Sequence, residues 1–246
     1  MWDSSLEYLV LVYSPDGRLI ERYSAYEGAL GIKSVAFSPS SQFLALGSFD
    51  GAARLLNALT WRPIQNFHLP ASASPAAGLV YVERDLSGVV QAPVADEHAA
   101  HAVARSSYEL LDANAPAVRV EVTKAEVKVN PRMGVGLLAW APDSSLLATR
   151  SDEAPNVLWV WSASTLALSA ALVQLAPIKD AKWSPVEPRL ALCGGGRNVY
   201  LWTPEGASCI EVPLPNLCVH TLDWAPDGRA LILRDHDAHS IAFVTA

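Results

Sequence analysis

The chain has 246 residues, of which 51% are hydrophobic and 17% charged, and its net charge is −7. That share of apolar residues is enough to bury a core, which excludes an intrinsically disordered chain. The acidic balance excludes a general nucleic-acid-binding surface, because such surfaces need clustered lysine and arginine to neutralise phosphates.

The amino-terminal segment contains two short runs, Tyr8 to Tyr13 and Leu19 to Ser24, separated by the sequence Ser14-Pro15-Asp16-Gly17. Runs bounded by Pro, Asp and Gly are typical of β-strands joined by a tight turn. We predict that these two strands are the last two of a four-stranded unit whose first two strands are absent.

A repeated pattern follows, in which an apolar run ends on an aromatic residue and a turn begins with Ser-Pro or Ala-Pro. The aromatic residues are Phe37, Trp140, Trp183 and Trp224. Trp140 and Trp183 are 43 residues apart, and Trp183 and Trp224 are 41 residues apart. Four-stranded WD40 blades repeat every 40 to 45 residues or so. The pattern therefore predicts an all-β fold, a partial WD40-type β-propeller over residues 1–246.

The predicted propeller has about four blades plus the two strands of a preceding blade. The first blade is predicted to use residues 32–37, 42–48, 52–57 and 62–67. The other three cover 135–173, 178–212 and 219–244, and the last of them lacks its outer strand. Propellers avoid exposed sheet edges by closing into a ring, so we expect this chain to be part of a larger one. A truncated coding sequence, association with another chain and an unusual small ring all remain open.

An insertion separates the first two predicted blades. Residues 70–107 are rich in Ala, Ser, Pro and mixed charge, which predicts a flexible surface loop. Val118 to Val122 and Val127 to Val129 alternate apolar and charged residues, which predicts a half-exposed edge strand.

Large aromatic residues at corresponding positions of the blades are predicted to pack between neighbouring blades, because each can bury about 150 to 250 Å². Besides the four aromatic residues that end the first strands, these are Trp161, Trp202 and Phe243. The aspartate that usually follows the third-strand tryptophan is replaced by Ser162 and Thr203, so we expect packing to stabilise these blades.

No catalytic, cofactor or metal site is predicted, and the chain is not expected to be an enzyme. The segment Asp235 to His239 holds the densest set of metal-capable side chains, but strand geometry would point His236 and His239 to opposite faces. The glycines at 194–196 lack the Lys-Ser/Thr of a phosphate-binding loop and are expected to form a turn.

The three cysteines Cys193, Cys209 and Cys218 show no zinc-ribbon spacing and, being odd in number, suggest no disulfide framework. This favours the reducing cytoplasm. No apolar run approaches the length of about 20 residues that spans a bilayer, so no membrane span is predicted.

The segments Ser24 to Glu27 and Leu30 to Ala45 match more than the general WD40 pattern. Together with Gly47 to Gly51, Ala148 to Asp152 and Trp159-Val160-Trp161, they resemble the WD-repeat protein eight family of centrosomal and spindle-pole proteins. The resemblance implies the carboxy-terminal half of such a protein. It also implies a non-catalytic scaffold that binds a coiled-coil microtubule-anchoring protein, and the missing propeller half is a second expected partner.

The same resemblance implies a role in microtubule anchoring and in centriole or cilium assembly, with a location in the cytoplasm and cytoskeleton at the centrosome or spindle pole. The alternative is a WD40 adaptor of a nuclear or ubiquitin-ligase complex. Binding residues of rigid scaffolds tend to lie on loops, where Arg and Tyr are favoured anchors. The candidate partner surface consists of Tyr23, Tyr26, Lys33, Arg150, Asp152, Asn156, Arg197 and Asn198.

Overall fold

The computed structural model describes residues 2–3, 9–25, 31–86, 106–122, 133–214 and 216–244. Within these ranges every regular element is a β-strand. In chain order the strands are β1 (Trp2–Asp3), β2 (Leu9–Tyr13), β3 (Leu19–Ser24), β4 (Ile32–Phe37), β5 (Phe43–Ser48), β6 (Ala52–Asn57), β7 (Pro63–His68), β8 (Ser72–Ala73), β9 (Leu79–Asp85), β10 (Ser106–Leu110), β11 (Val118–Arg119), β12 (Val135–Trp140), β13 (Leu146–Ser151), β14 (Val157–Ser162), β15 (Ala167–Val173), β16 (Asp180–Trp183), β17 (Leu190–Cys193), β18 (Asn198–Thr203), β19 (Gly206–Glu211), β20 (Thr221–Trp224), β21 (Ala230–Arg234) and β22 (His239–Phe243).

Four antiparallel sheets form the predicted blades. Blade one is β4 to β7, blade two contains β12 to β15, blade three is β16 to β19, and blade four is the three-stranded sheet β20 to β22. The middle strands, such as β5 and β14, are apolar and buried almost throughout. Both faces of blades one to three pack on neighbouring sheets, so their middle strands lack the alternation of a half-exposed strand. In the described structure blade four packs on blade three alone, and its strand β22 alternates exposed and half-buried residues. The predicted partial propeller is confirmed.

The hydrophobic core lies between the sheets. One cluster joins blades one and two, a second joins blades two and three, and a third joins blades three and four. A smaller cluster packs β2 against blade one through Val10, Ile32 and Leu44. Each blade therefore depends on its neighbours for burial, as expected when stacked repeats share one continuous core.

The amino-terminal sheet has three described strands, not the two predicted. Trp2 pairs with Val10 and Asp3 with Leu9, which places β1 beside β2. Two residues carry too little periodicity to indicate a strand from sequence, so β1 was missed.

The prediction of a loop over residues 70–107 is wrong for β9. Leu79–Asp85 pairs in parallel with β15, the outer strand of blade two, and Val80, Tyr81 and Val82 are buried. Antiparallel β10 then lies outside β9, so blade two becomes a six-stranded sheet. Val80 and Val82 are buried in the core between blades one and two, and Tyr81 in the core between blades two and three, although the surrounding composition is that of a surface loop. Residues 87–105 lie outside the described ranges.

Among the described residues, the edge strand predicted in the second part of the insertion corresponds to β11, whose Val118 and Arg119 pair with Ala73 and Ser72 of β8. Val120 follows it and is buried. The second part of that prediction, Val127 to Val129, lies outside the described residues.

The tryptophans at the corresponding blade positions pack between blades as predicted. Trp140, Trp161 and Trp202 are buried, and Trp183 and Trp224 are partly buried against the clusters beside them. Trp140 stacks on Phe43 with ring centroids 6.0 Å apart, and Trp161 stacks on Phe67 at 4.7 Å.

The prediction of packing between blades is wrong for Phe37 and Phe243, which have 56% and 80% of their surface exposed. Phe37 would need an inner strand of the preceding sheet to pack on, and the described part of that sheet contains only β1 to β3. In blade four Leu231 pairs with Ala242, so Ala242 takes the position of the third-strand tryptophan. A shift of one residue turns a strand side chain to the opposite face, which exposes Phe243.

A hydrogen bond recurs between neighbouring blades. The indole Nε1 of Trp140 donates to the carbonyl of Ala36 at 3.1 Å, Trp183 to Ala139 at 2.9 Å, and Trp224 to Lys182 at 2.9 Å. The accepting residue always precedes the aromatic residue that ends the first strand of the previous blade. From the sequence we expected packing to stabilise the blades. These hydrogen bonds are a second kind of contact between neighbouring blades.

Candidate protein-binding surface

The described members of the predicted partner surface, which exclude Tyr26, lie on one face of the propeller. In each antiparallel sheet the first strand begins, the second ends and the third begins at the same edge, as the pairs Ile32 with Ser48 and Val135 with Ser151 show. We call the face formed by these edges and their loops the upper face. The opposite face carries the Pro-containing turns between first and second strands and is called the lower face.

One position of the upper face lies four residues before the aromatic residue that ends each first strand. In blades one to four it is occupied by Lys33, Gly136, Lys179 and His220. Because these residues share a place in the fold, differences among them show how the surface varies from blade to blade.

Lys33, Arg150 and Asp152 meet between blades one and two. The Nζ of Lys33 donates to the Oδ2 of Asp152 at 2.7 Å and to the carbonyl of Met133 at 2.7 Å. Arg150 donates to the Oδ1 of Asp152 at 3.0 Å and also to the carbonyl of Ile178. Since Ile178 precedes blade three, this ion cluster connects three blades.

The charge of Asp152 is stabilised by this cluster. Burial raises the pKa of Asp152, but hydrogen bonds and charges from Lys33 and Arg150 outweigh it, so the pKa lies below its usual value. Gly136 makes room for the carboxylate, because a β-carbon there would lie 2.5 Å from the Oδ1 of Asp152. The cluster is a structural contact, and a role for these side chains in partner binding stays a prediction.

Arg197 and Asn198 are also held by contacts inside the chain. Arg197 forms an ion pair with Glu211 at 2.9 Å, and Asn198 donates to the hydroxyl of Ser106 at 3.2 Å. Ser106 begins β10, so the second contact joins blade three to the hairpin that extends blade two.

Tyr23 and Asn156 complete the described part of the predicted surface. Tyr23 packs against the core between the amino-terminal sheet and blade one, and burial raises its pKa. Asn156 is half-buried in the loop between β13 and β14, where its carbonyl accepts the amide of Gln174. Tyr26 lies outside the described residues.

Blade four brings together side chains from two loops that are separate in the sequence. His220, Asp235 and His236 each offer one metal-ligating atom, and these atoms lie within 4.8 Å of one another. His236 adjoins His220, with ring centroids 4.5 Å apart, and the Nδ1 of His220 is 3.3 Å from the Oδ1 of Asp235. His220 is distant in sequence, and only its place in the blade repeat could have indicated this contact.

A buried polar cluster joins the β9–β10 hairpin to blade three. The hydroxyl of Tyr200 donates to the carboxylate of Glu83 at 2.5 Å, and the amide of Leu175 donates to its other oxygen at 2.9 Å. Burial and the hydrogen bond to Glu83 raise the pKa of Tyr200. The adjacent ring of Tyr108 lies 5.6 Å from that of Tyr200.

Burial raises the pKa values of Cys193 and Cys209 to about 12, so these two thiols are protonated at neutral pH. Among the described residues there is no helix with the length and apolar character of a bilayer span.

Comparisons with known proteins agree with this fold. The family model described as WD domain, G-beta repeat matches residues 17–57. WD repeat-containing protein WRAP73 of Mus musculus is 42% identical over 247 residues, which cover 96% of this chain and 52% of the mouse protein. The chain thus spans about half the length of that relative.

A solved structure, dihydro-heme d1 dehydrogenase NirN in complex with DHE, shares the fold at a TM-score of 0.58. The match covers 97% of this chain and 39% of that one, and at 10% identity it concerns the fold alone. Together with the blade repeat, the family model and the mouse relative show that the chain belongs to the WD-repeat proteins.

Proposed function

We propose that this chain is a non-catalytic scaffold that binds protein partners in microtubule anchoring at the centrosome or spindle pole, and in centriole or cilium assembly. The observation that carries the proposal is the 42% identity to a mouse WD-repeat protein, maintained over 96% of the chain. The proposed partner is a coiled-coil microtubule-anchoring protein, and the proposed location is the cytoplasm and cytoskeleton.

The upper face is the proposed partner surface. Its loops project from sheets that pack face to face on one another, so exposed side chains there are presented by a rigid framework. Lys179 is exposed on this face next to the glycine turn of blade three, while Arg229 is exposed in a turn of the lower face. The two residues provide a matched pair of positive charges on opposite faces.

The proposed location can be tested with a tagged version of the 246-residue chain in dividing ciliated cells. We expect the tagged chain to accumulate at centrosomes and spindle poles. Affinity purification from these cells is expected to recover a coiled-coil microtubule-anchoring protein. Uniform distribution of a folded chain, or recovery of ubiquitin-ligase subunits alone, would contradict the proposed function.

The proposed surface is tested separately with Lys179→Glu and Arg229→Glu, which make the same change in charge. We expect Lys179→Glu to lower recovery of the partner and Arg229→Glu to leave it at the wild-type level. The reverse result would move the partner surface to the lower face. Circular dichroism and thermal unfolding of both variants confirm that each remains folded.

A further inference from the structure

We propose that His220, Asp235 and His236 form a zinc-binding site on the upper face of blade four. The site joins the segment that precedes β20 to the loop between β21 and β22. It is independent of the proposed centrosomal role, because it rests on side chains within a single blade.

The donor set is that of an open zinc site. Two imidazoles and one carboxylate are three protein ligands, which leaves a fourth position for water or another ligand. Ligand atoms around a tetrahedral zinc ion are about 3.4 Å apart, given bonds of about 2.0 to 2.2 Å. The three side chains already place their ligand atoms within 4.8 Å of one another, so small side-chain rotations complete the site.

Backbone contacts hold two of the ligands in place. Asp235 accepts hydrogen bonds from the amides of Cys218 at 2.9 Å and His236 at 2.7 Å, and these bonds lower its pKa. The Nδ1 of His220 lies 2.9 Å from the carbonyl of Cys218. The same nitrogen lies 3.3 Å from the Oδ1 of Asp235, so the ring edge that carries Nδ1 faces the proposed carboxylate ligand.

A solvent-filled cleft adjoins two of the three ligands, Asp235 and His236. The loop that carries Asp235 and His236 lines a cleft of about 300 Å³ together with Arg234, Asp237, Ala238 and His239. The positive charge of Arg234 is compensated by Asp223, whose Oδ2 lies 2.5 Å from the guanidinium. His220 and Asp235 are partly buried, with 33% and 17% of their side chains exposed, while His236 remains open to solvent.

The corresponding positions of the other blades lack this donor set. Blade one has Lys33, Ser48 and Phe49 at these three places, where the Lys33 ammonium lies 5.1 Å from the centre of the Phe49 ring. Blade three has Lys179 at the place of His220, and Gly194 and Gly195 at the places of Asp235 and His236. The combination of two imidazoles and a carboxylate at the same corner is therefore specific to blade four among the described blades. Imidazole nitrogen favours zinc and similar transition metals over Mg²⁺ and Ca²⁺, which prefer oxygen ligands.

The test uses the 246-residue chain and two aspartates of the same loop. Asp235→Asn removes a proposed ligand, whereas Asp237→Asn makes the identical change in charge two residues away. Zn²⁺ affinity is measured at pH 7 by competition with a chromophoric chelator, and Co²⁺ is used as a spectroscopic probe of tetrahedral coordination. Thermal unfolding without metal confirms that the variants remain folded.

We expect the wild-type chain to bind one Zn²⁺, to show tetrahedral Co²⁺ absorption bands and to unfold at a higher temperature when Zn²⁺ is added. Asp235→Asn and His236→Gln are expected to weaken binding by at least about tenfold, and Asp237→Asn to leave it unchanged. His68→Gln, in blade one, is the matching histidine control. Absence of saturable Zn²⁺ binding, or equal losses in Asp235→Asn and Asp237→Asn, would overturn the site.

Discussion

Blades two and three share four antiparallel strands and a buried third-strand tryptophan, but differ in the polar partners of that residue. In blade two the Nε1 of Trp161 donates to the hydroxyl of Thr149 at 2.9 Å. In blade three the buried Nε1 of Trp202 has no partner, and Leu192 occupies the position that corresponds to Thr149. Both blades therefore have a buried tryptophan at this position, but only in blade two does its indole N–H have a hydrogen-bond partner.

The upper corners of the two blades differ in the same way. Blade two has Asp152, which pairs with Lys33 of blade one, whereas blade three has Gly195 at the corresponding position. Packing positions are shared between the blades because a cavity costs several kcal/mol, whereas one polar contact contributes about 1 kcal/mol.

The largest effect expected from this comparison is the loss of either tryptophan. Trp161→Ala and Trp202→Ala should each lower the free energy of unfolding by about 3 to 5 kcal/mol, because each leaves a cavity between two blades. Urea unfolding followed by fluorescence and circular dichroism measures the loss. A loss below about 1 kcal/mol for Trp202→Ala would contradict its place in the core.

A smaller effect separates the two tryptophans when each is replaced by phenylalanine. Trp161→Phe removes a buried hydrogen bond, while Trp202→Phe removes an N–H group that has no partner, so Trp161→Phe should cost about 1 kcal/mol more. The difference between the two free energies of unfolding is the quantity to compare.

Thr149→Val supplies the control for this pair. Valine has nearly the shape of threonine but accepts no hydrogen bond, so the variant gives blade two the arrangement of blade three. In this background the extra cost of Trp161→Phe should vanish, and its persistence would show that the difference arises from packing.

The smallest effect concerns Asp152 and pH. Because the pKa of Asp152 is lower in the folded chain than its ordinary value of 3.8, its ion pairs stabilise the fold fully above that pH, and this stabilisation is lost as the pH falls through the folded pKa. Asp152→Asn should therefore cost about 0.5 to 1 kcal/mol at pH 7 and progressively less as the pH falls below 3.8. Asp112→Asn, the same change at an exposed loop residue, is the control, and an equal pH dependence in both variants would contradict the assignment.

The strands of blade one and the overall ranges of blades two to four were predicted from sequence to within a few residues, because the first strand of each blade ends at an aromatic residue and a Pro-containing turn. β9 was missed although Leu79, Val80, Tyr81 and Val82 form an apolar run, since its parallel partner β15 lies about 90 residues further along the chain. Pairing over such a distance leaves no periodic signal in the sequence.

The candidate surface was predicted less completely, for a related reason. Lys33, Arg150 and Asp152 were selected as separate loop residues, and the structure shows them in contact across two blades. His220 was not selected because it lies 15 positions before Asp235 in a different loop. The type of a residue indicates what its side chain can bind. Which side chains it contacts in the folded chain depends on how the blades pack.

The recurring bond from tryptophan to the previous blade gives the row of sheets a polarity. Each blade from two to four donates an indole N–H backwards, whereas Phe37 of blade one has no N–H to give. At the other end the carbonyl of Asp223 occupies the place of Ala36, Ala139 and Lys182, so it is positioned to receive the next tryptophan. Assembly with a further sheet would therefore be directional. A sheet whose first strand ends in tryptophan could donate this hydrogen bond to the carbonyl of Asp223 in blade four, whereas a sheet placed before blade one would receive no such bond from Phe37.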